Sequence, residues 1–146
     1  MSPHLPLAPR WVRYALVVLW AGYVLVASTV DPPTAGVPTT GPLGLVGFDK
    51  WLHALSYGAM AGLVAYAVLA RDARAVVLAV AAAVAFGAGV EVIQDFLPYR
   101  AFDVDDMLAN AVGAVLGGLG WTVLTAYLTL PGDRGGFTGA SGSESR

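Results

Sequence analysis

The residues most able to do chemistry in this chain fall in two short polar stretches, 49–57 and 91–110. Histidine beside carboxylates is suited to general acid and base work. Basic side chains can hold a phosphate or carboxylate, and carboxylate and amide oxygens can bind a divalent cation. The stretches contain six acids, two cations, one histidine and two amides: Asp49, Glu91, Asp95, Asp103, Asp105 and Asp106; Lys50 and Arg100; His53; Gln94 and Asn110.

Helical spacing predicts that the two stretches meet at one level. His53, Glu91 and Asn110 each lie about one turn, roughly 5.4 Å, inside an apolar helical segment. An ionisable group that faces lipid at that depth costs about 2–3 kcal/mol or more. We therefore expect these three side chains to point at one another.

The composition predicts a small multi-pass membrane protein. Of 146 residues, 57% are hydrophobic and only 12% are charged, whereas a soluble domain has about a quarter charged residues. The mean hydropathy is +0.67. A net charge of −2 gives no reason to expect nucleic-acid binding. The absence of cysteine excludes disulfides, thiolate zinc sites and cysteine nucleophiles.

Four apolar segments predict four transmembrane helices, because each can cross a hydrocarbon core of about 30 Å. Prolines or a charged turn end each segment, and residues 31–48, with four prolines and four glycines, predict an extended loop. Residues 98–104 predict a short connection. The helices are expected at 11–30, 51–70, 75–96 and 107–130, within a membrane domain at 11–130 that follows a disordered leader at 1–10 and precedes a disordered tail at 131–146.

Basic residues predict the orientation of these helices. Arginines precede the first helix, join the second to the third and follow the fourth, so all of them fall on one side of the membrane. The positive-inside rule makes that side cytoplasmic. The predicted fold is an all-α membrane protein, a compact bundle of four transmembrane helices with both termini in the cytoplasm and both polar stretches outside. The arginines are Arg10, Arg13, Arg71, Arg74 and Arg134.

The first helix has an alternative interpretation as a cleavable signal peptide. Arg10 and Arg13 precede an apolar core, and Leu25-Val26-Ala27 before Ser28 resembles a cleavage site. The apolar stretch is longer than that of a typical signal peptide, and only helical spans follow it. We therefore expect it to be retained.

Small residues predict close helix packing. Gly58 and Gly62 are four residues apart in the second span, as are Gly113 and Gly117 in the fourth, while Gly87 and Gly89 lie in the third. Glycines allow helix backbones to approach within membranes. An alanine- and glycine-rich composition also produces such spacings by chance, but we expect spans two, three and four to be in mutual contact.

The order of the polar residues resembles that of the VanZ-like family, whose namesake is an accessory protein in teicoplanin resistance. The resemblance covers about residues 45–120 and implies a small multi-spanning membrane protein whose polar residues cluster on one side. It leaves the reaction open. The residues that carry it are Asp49-Lys50-x-x-His53 with Tyr57, Glu91-x-x-Gln94, and Arg100-x-x-Asp103-x-x-Asp106 with Asn110 and Gly113.

The first functional hypothesis is an outward-facing membrane enzyme or headgroup site. Its ligands would be phospholipids, polyprenyl-phosphate carriers or other envelope precursors. The metal, the cofactor and the oligomeric state are left open. The candidate catalytic residues are His53, Glu91, Asp103 and Asp106; the candidate substrate-binding residues are Lys50, Tyr57, Gln94, Arg100 and Asn110; Asp49, Gly113 and Gly117 are assigned structural roles. Asp103, Asp106 and Asn110 could instead hold a divalent cation through their oxygens.

The second hypothesis is a non-catalytic accessory or binding module with a structural polar network. Lys50 could simply extend to the headgroups, and Asp105 or Asp103 could cap the fourth helix. Arg100 is expected to reach Asp103 or Asp106 as a forked partner. A transporter is disfavoured because no inverted repeat is evident, and a serine hydrolase because Ser56 lacks the context of a nucleophile elbow.

Overall fold

The protein is described by a computed structural model over residues 7–30, 39–100 and 102–128. Within these ranges the chain forms four long helices, α1 (Arg10–Thr29), α2 (Phe48–Val68), α3 (Ala73–Asp95) and α4 (Val104–Tyr127), and a short 3-10 turn at Pro42–Gly44. All four helices are long and apolar enough to cross a membrane. The predicted all-α bundle of four membrane helices is therefore confirmed.

Parts of the predicted domain organisation lie outside the described residues. These parts are residues 1–6 of the leader, 31–38 of the first loop, and the tail at 131–146 with Arg134. The last residue of the predicted leader, Arg10, already belongs to α1. The described end of the first loop folds back on itself, with an isolated bridge between Thr40 and Gly47.

Two helices begin three residues earlier than hydropathy predicts. These helices are α2 and α4. The first turn of each contains charged residues, so it belongs to the helix but not to the apolar run from which the helix was predicted. In α4 that turn is fixed by Asp103, whose side chain accepts a hydrogen bond of 2.8 Å from the Asp105 backbone N–H. This contact satisfies one of the N–H groups that a helix start leaves unpaired.

Glycines bring the backbones of α2 and α4 into contact. A Cβ atom added to Gly113 would collide with the backbone of Ala54, and one added to Gly117 would collide with the backbone of Gly58. A Cβ on Gly58 would in turn lie 3.0 Å from the carbonyl oxygen of Gly113. The structural role predicted for the glycines of α4 follows from this close approach, which fixes the position of α2 relative to α4.

For Gly62 and Gly89 the alternative interpretation holds, that an alanine- and glycine-rich composition produces such spacings by chance. Apart from the local helix backbone, no described atom lies within 4 Å of a Cβ atom added to either residue. Gly62 instead lines an apolar groove of ≈ 720 Å³ between α1, α2 and α4. The spacing of glycines in the sequence cannot show whether a particular glycine faces a neighbouring helix.

Helix α1 packs on the outside of the bundle and is attached by side-chain hydrogen bonds. Within α1, all of which the structure describes, only Val24 is buried. Arg13 Nη1 donates to the carbonyl oxygen of Ala67 at 2.7 Å, and so satisfies a carbonyl that the end of α2 leaves unpaired. Trp20 Nε1 donates to the carbonyl oxygen of Ser56 at 3.0 Å. Trp20 therefore attaches the middle of α1 to α2.

The helices alternate in direction, which collects the polar residues at one end. The contact between Arg13 and Ala67 and a hydrogen bond of 2.9 Å from Trp121 Nε1 to the Ala70 carbonyl mark the opposite end. The first turns of α2 and α4 and the last turn of α3 therefore meet. Which end faces outward stays a prediction from the basic residues.

Candidate functional site

Lys50, in the first turn of α2, is the cation at the centre of the polar end. Its Nζ lies 2.9 Å from Asp49 Oδ2, 2.7 Å from Asp103 Oδ2 and 2.5 Å from Asp106 Oδ1. The lysine side chain is 19% exposed, and its three N–H groups match these three acceptors. Lys50 therefore joins α2 to the start of α4.

His53 lies one turn further into α2, where it is oriented by Asn110 of α4. Its Nδ1 is 2.9 Å from Asn110 Oδ1. Because an amide oxygen can only accept, Nδ1 carries the proton in this contact. The other ring nitrogen, Nε2, faces Asp106 Oδ2 at 3.4 Å. The Tyr57 ring lies parallel to the imidazole, with 6.4 Å between the ring centroids.

Glu91 of α3 completes a polar cluster at this end of the bundle. The cluster consists of Asp49, Lys50, His53, Tyr57, Glu91, Asp103, Asp106 and Asn110. The residue is 0% exposed, and its Oε1 has no hydrogen-bond partner among the described residues. Its Oε2 lies 3.5 Å from the backbone N–H of Asp103. One ligand atom each from His53, Glu91 and Asp106 lie within 4.8 Å of one another. The predicted proximity of His53, Glu91 and Asn110 is therefore confirmed, and the three clustered ligand atoms are of the types that bind divalent metals.

Further polar atoms in the cluster are buried and unpaired. Neither the Tyr57 hydroxyl nor Asn110 Nδ2 has a hydrogen-bond partner in the described part of the chain. Both residues pack against Gly87, where an added Cβ would lie 2.9 Å from the Tyr57 ring and 3.1 Å from Asn110 Nδ2. Gly87 thus provides the space that these two side chains occupy. The sequence assigned Gly87 only to helix packing.

The cluster carries more negative than positive charge. Asp49, Asp103 and Asp106 contact the single ammonium group of Lys50, and Glu91 lies beside the Asp103 backbone N–H. At the edge of the membrane domain, the hydrogen bond from Lys50 and then that from the Asp105 backbone N–H lower the pKa of Asp103 below its ordinary value. Asp103 is therefore held ionised.

A family model for VanZ/LLP1 matches residues 11–125, which span nearly all of the four helices. The chain belongs to the VanZ/LLP1 family. The resemblance predicted from the order of the polar residues is thereby confirmed. Comparison with curated proteins and with solved structures gives no match. As a VanZ/LLP1 member with four membrane-length helices, the protein is a multi-pass membrane protein.

Two predicted ligand-binding residues of this VanZ/LLP1 protein contact α1 instead of the cluster. Gln94 is buried, but its Nε2 donates to the Ser28 carbonyl at 2.9 Å. Arg100 Nη2 donates to the Val30 carbonyl at 3.1 Å, and Arg100 forms no ion pair with a described residue. The expectation that Arg100 reaches the acids of α4 is therefore wrong, because Lys50 contacts those acids and Arg100 lies beside the end of α1. Ligand binding by Gln94 and Arg100 stays a prediction.

Asp95 also lies apart from the cluster. The sequence placed it on one face of α3 with Glu91 and Gln94, yet those two residues are buried and Asp95 is exposed. Asp95 is the last residue of α3, where the helix ends and its side chain reaches the surface.

A groove of ≈ 630 Å³ lies beside the cluster, between α2, α4 and the loop before α2. Lys50 and Asp105 line it, and Trp51 contributes an indole N–H that is buried and has no partner among the described residues. The sequence interpretation missed this groove. A signal was present, because Leu108, Val112 and Leu116 recur every four residues below Asp105 and form one apolar stripe on α4.

Proposed function

We propose that this VanZ/LLP1 protein binds the polar headgroup of a membrane amphiphile and acts on it at the cluster of His53, Glu91 and Asp106. The observation that carries this proposal is the groove beside Lys50, which has one polar end and a long apolar wall. Because Lys50 also contacts Asp106, the groove and the cluster share a side chain.

The lining of the groove favours an amphiphile over a water-soluble ligand. At the polar end Lys50 supplies a positive charge, and Trp51 supplies an indole N–H with no partner among the described residues, for phosphate or carbonyl oxygens. Leu108, Val112 and Leu116 supply an apolar surface on which a hydrocarbon chain can lie. Phospholipids and polyprenyl-phosphate-linked envelope precursors share this combination of headgroup and chain.

The cluster has the arrangement expected of a general base with an orienting partner. Asn110 holds the proton on His53 Nδ1, which leaves Nε2 to accept a proton from a substrate hydroxyl or water. Glu91 lies close to His53 and has a buried oxygen that could take part in the same proton transfer. These positions support acid and base roles for the pair.

The distribution of charge supports an outward-facing position for the proposed site. Arg13, Arg71 and Arg74 belong to the end of the bundle opposite the cluster, and the positive-inside rule assigns that end to the cytoplasm. The cluster would then face outward, where the headgroups of outer-leaflet lipids and envelope precursors are accessible.

A non-catalytic accessory module is the second candidate function. The observation that favours it is the set of three ion pairs made by Lys50, which join α2 to the start of α4 beside the glycine contacts. A network with a purely structural role would contain the same contacts. The two candidate functions differ in their dependence on Glu91. Acid and base chemistry at the cluster needs the Glu91 carboxylate, whereas the ion pairs of Lys50 do not include it.

Lipids and envelope precursors should be compared in cells that lack the gene and in cells complemented at matched membrane abundance. The variants are Glu91→Gln, Val112→Trp, which fills the groove, and Val115→Trp, a control on the same helix outside the groove lining. If the protein is an enzyme, the wild type and Val115→Trp should restore the lipid and precursor profile, and Glu91→Gln and Val112→Trp should not. Partial restoration by Glu91→Gln would favour the accessory module. Equal restoration by Val112→Trp and Val115→Trp would remove the groove from the function.

A further inference from the structure

We infer that His53, Glu91 and Asp106 form a binding site for one first-row divalent cation of the Zn²⁺ or Mn²⁺ type. The three residues come from α2, α3 and α4, and one ligand atom from each lies within 4.8 Å of the others. Neutral imidazole suits zinc and other transition ions, and carboxylates suit manganese, so the mixed donor set favours these ions over Mg²⁺ and Ca²⁺.

The first argument is the contact between His53 and Asn110. Metal-bound histidines almost always donate their second ring N–H to an oxygen, which fixes the tautomer. Asn110 Oδ1 accepts from Nδ1 at 2.9 Å, so Nε2 is the nitrogen left for a metal. Asn110 would thus orient the histidine ligand without binding the metal itself.

The second argument is the distance between His53 Nε2 and Asp106 Oδ2, which is 3.4 Å. A neutral Nε2 presents a lone pair to an anionic oxygen, and this approach is unfavourable unless a proton or a metal ion lies between them. At tetrahedral angles, zinc bonds of about 2.0–2.2 Å separate a nitrogen and an oxygen ligand by about 3.4 Å. The spacing is that of two ligands on one ion, and it is longer than the roughly 2.7–2.9 Å of a charge-assisted hydrogen bond from a protonated histidine.

The third argument is the buried carboxylate of Glu91. The residue is 0% exposed and its Oε1 has no partner among the described residues. The nearby cation, Lys50, contacts Asp49, Asp103 and Asp106 but not Glu91. A buried carboxylate without a cation is costly, and either a proton or a divalent ion would neutralise it. Its ligation requires the Glu91 carboxylate to move inward by up to about 1.5 Å, given the bond lengths above.

The inference and the proposed function fail separately, because ion binding is measured without lipid. A divalent ion would let the net-negative cluster accept an anionic headgroup. With the ion bound, His53 Nε2 would be a ligand and not the general base, and a water on the ion, whose pKa the ion would lower, would take over that role. Metal binding without a lipid or precursor phenotype would leave the ion site standing and overturn the proposed function. A lipid or precursor phenotype without metal binding would overturn the ion site and leave the proposed function standing.

The test is titration of the purified, chelator-treated protein with Zn²⁺, Mn²⁺ and Mg²⁺ by calorimetry, using an affinity tag that contains no histidine. Co²⁺ in place of Zn²⁺ reports ligand geometry by its visible absorption. We expect saturation at about one ion per chain, with Zn²⁺ or Mn²⁺ bound at least about tenfold more tightly than Mg²⁺. No saturable binding, or equal affinity for all three ions, would overturn the inference.

Variants separate the proposed site from other sites on the chain. Loss of a residue that orients a metal ligand costs about 10–100-fold in metal affinity, so Asn110→Ala should fall in that range and Glu91→Gln, which removes a ligand, should weaken binding by more than about 100-fold. The chain has two histidines, and His4→Gln should bind like the wild type. Circular dichroism checks that each variant is folded. Wild-type affinity in a folded Glu91→Gln protein would show that the ion binds elsewhere.

Discussion

Asn110 Oδ1 accepts a hydrogen bond of 2.9 Å from His53 Nδ1, and this contact determines which side of the imidazole is available for chemistry. The bond joins α2 to α4 inside the bundle, where both residues are largely shielded from solvent. Because Nδ1 donates to Asn110, Nε2 is directed at Asp106. Proton transfer and metal binding by His53 both depend on this orientation.

The first prediction is that Asn110 controls the histidine tautomer. Replacing Asn110 with leucine removes the acceptor at similar volume, and the Nδ1–H form should lose its preference. Asn110→Asp keeps an acceptor oxygen and should keep the Nδ1–H form. Nitrogen NMR of the chelator-treated protein measures the tautomer, and a His4→Gln background leaves His53 as the one histidine signal. An unchanged tautomer in Asn110→Leu would contradict the assignment.

The second prediction concerns the contact between α2 and α4. Gly113→Ala should lower the free energy of unfolding by about 1–3 kcal/mol, the usual cost of overpacking, because its Cβ would meet the backbone of Ala54. Gly120→Ala, in the same helix with open space beside it, should be neutral or slightly stabilising. Unfolding in detergent measures both. Equal stability of the two variants would show that the helices do not approach at Gly113.

The third prediction is that Lys50 contributes more to the free energy of unfolding than Arg100 does. Lys50→Met leaves three carboxylates without their common partner. The loss should be roughly 2 kcal/mol, less than the 3–5 kcal/mol of a fully buried pair, because Asp49 and Asp103 are partly exposed. Arg100→Met removes a cation that bonds the Val30 carbonyl and should cost less. Unfolding of both variants checks the ranking, and a larger loss for Arg100→Met would reverse it.

Much of the fold and the membership of the cluster followed from the sequence, for a physical reason. Long apolar runs must be helical in a membrane because their backbone groups have no water to bond. Polar groups buried at equal depth must meet because lipid offers them no partner. These two constraints predicted the four helices and the proximity of His53, Glu91 and Asn110.

The partners of individual side chains did not follow, because they depend on the rotation and separation of the helices. Lys50 and Arg100 both lie near acids in the sequence, and only the packing of α2 against α4 shows that Lys50 contacts them. Gly58 and Gly62 both lie on α2, four residues apart, but of the two only Gly58 is in close contact with the backbone of α4. The groove beside Trp51 also depends on the loop before α2, whose apolar and glycine residues carry no helical pattern.

The fourth prediction is the orientation of the bundle. With both termini in the cytoplasm, a cysteine at position 40, in the loop before α2, lies outside the cell. The natural chain has no cysteine, so Thr40→Cys should be labelled by an impermeant maleimide in intact cells. Ser141→Cys, in the C-terminal tail, should be labelled only after permeabilisation. The reverse pattern would place the cluster on the cytoplasmic side and would refute an outward-facing site.

The fifth prediction uses the Tyr57 hydroxyl to separate function from stability. Tyr57 is 1% exposed and its hydroxyl has no partner among the described residues, a situation that costs about 1–3 kcal/mol in a folded protein. Tyr57→Phe keeps the ring beside His53 and should raise the free energy of unfolding by about 1 kcal/mol. If the hydroxyl contacts the headgroup or a bound water, the same variant should fail to restore the lipid and precursor profile. Tyr23→Phe, at an exposed position, should change neither property. Lower stability in Tyr57→Phe would instead mean that the hydroxyl bonds within the bundle, and its place among the ligand-binding residues would be lost.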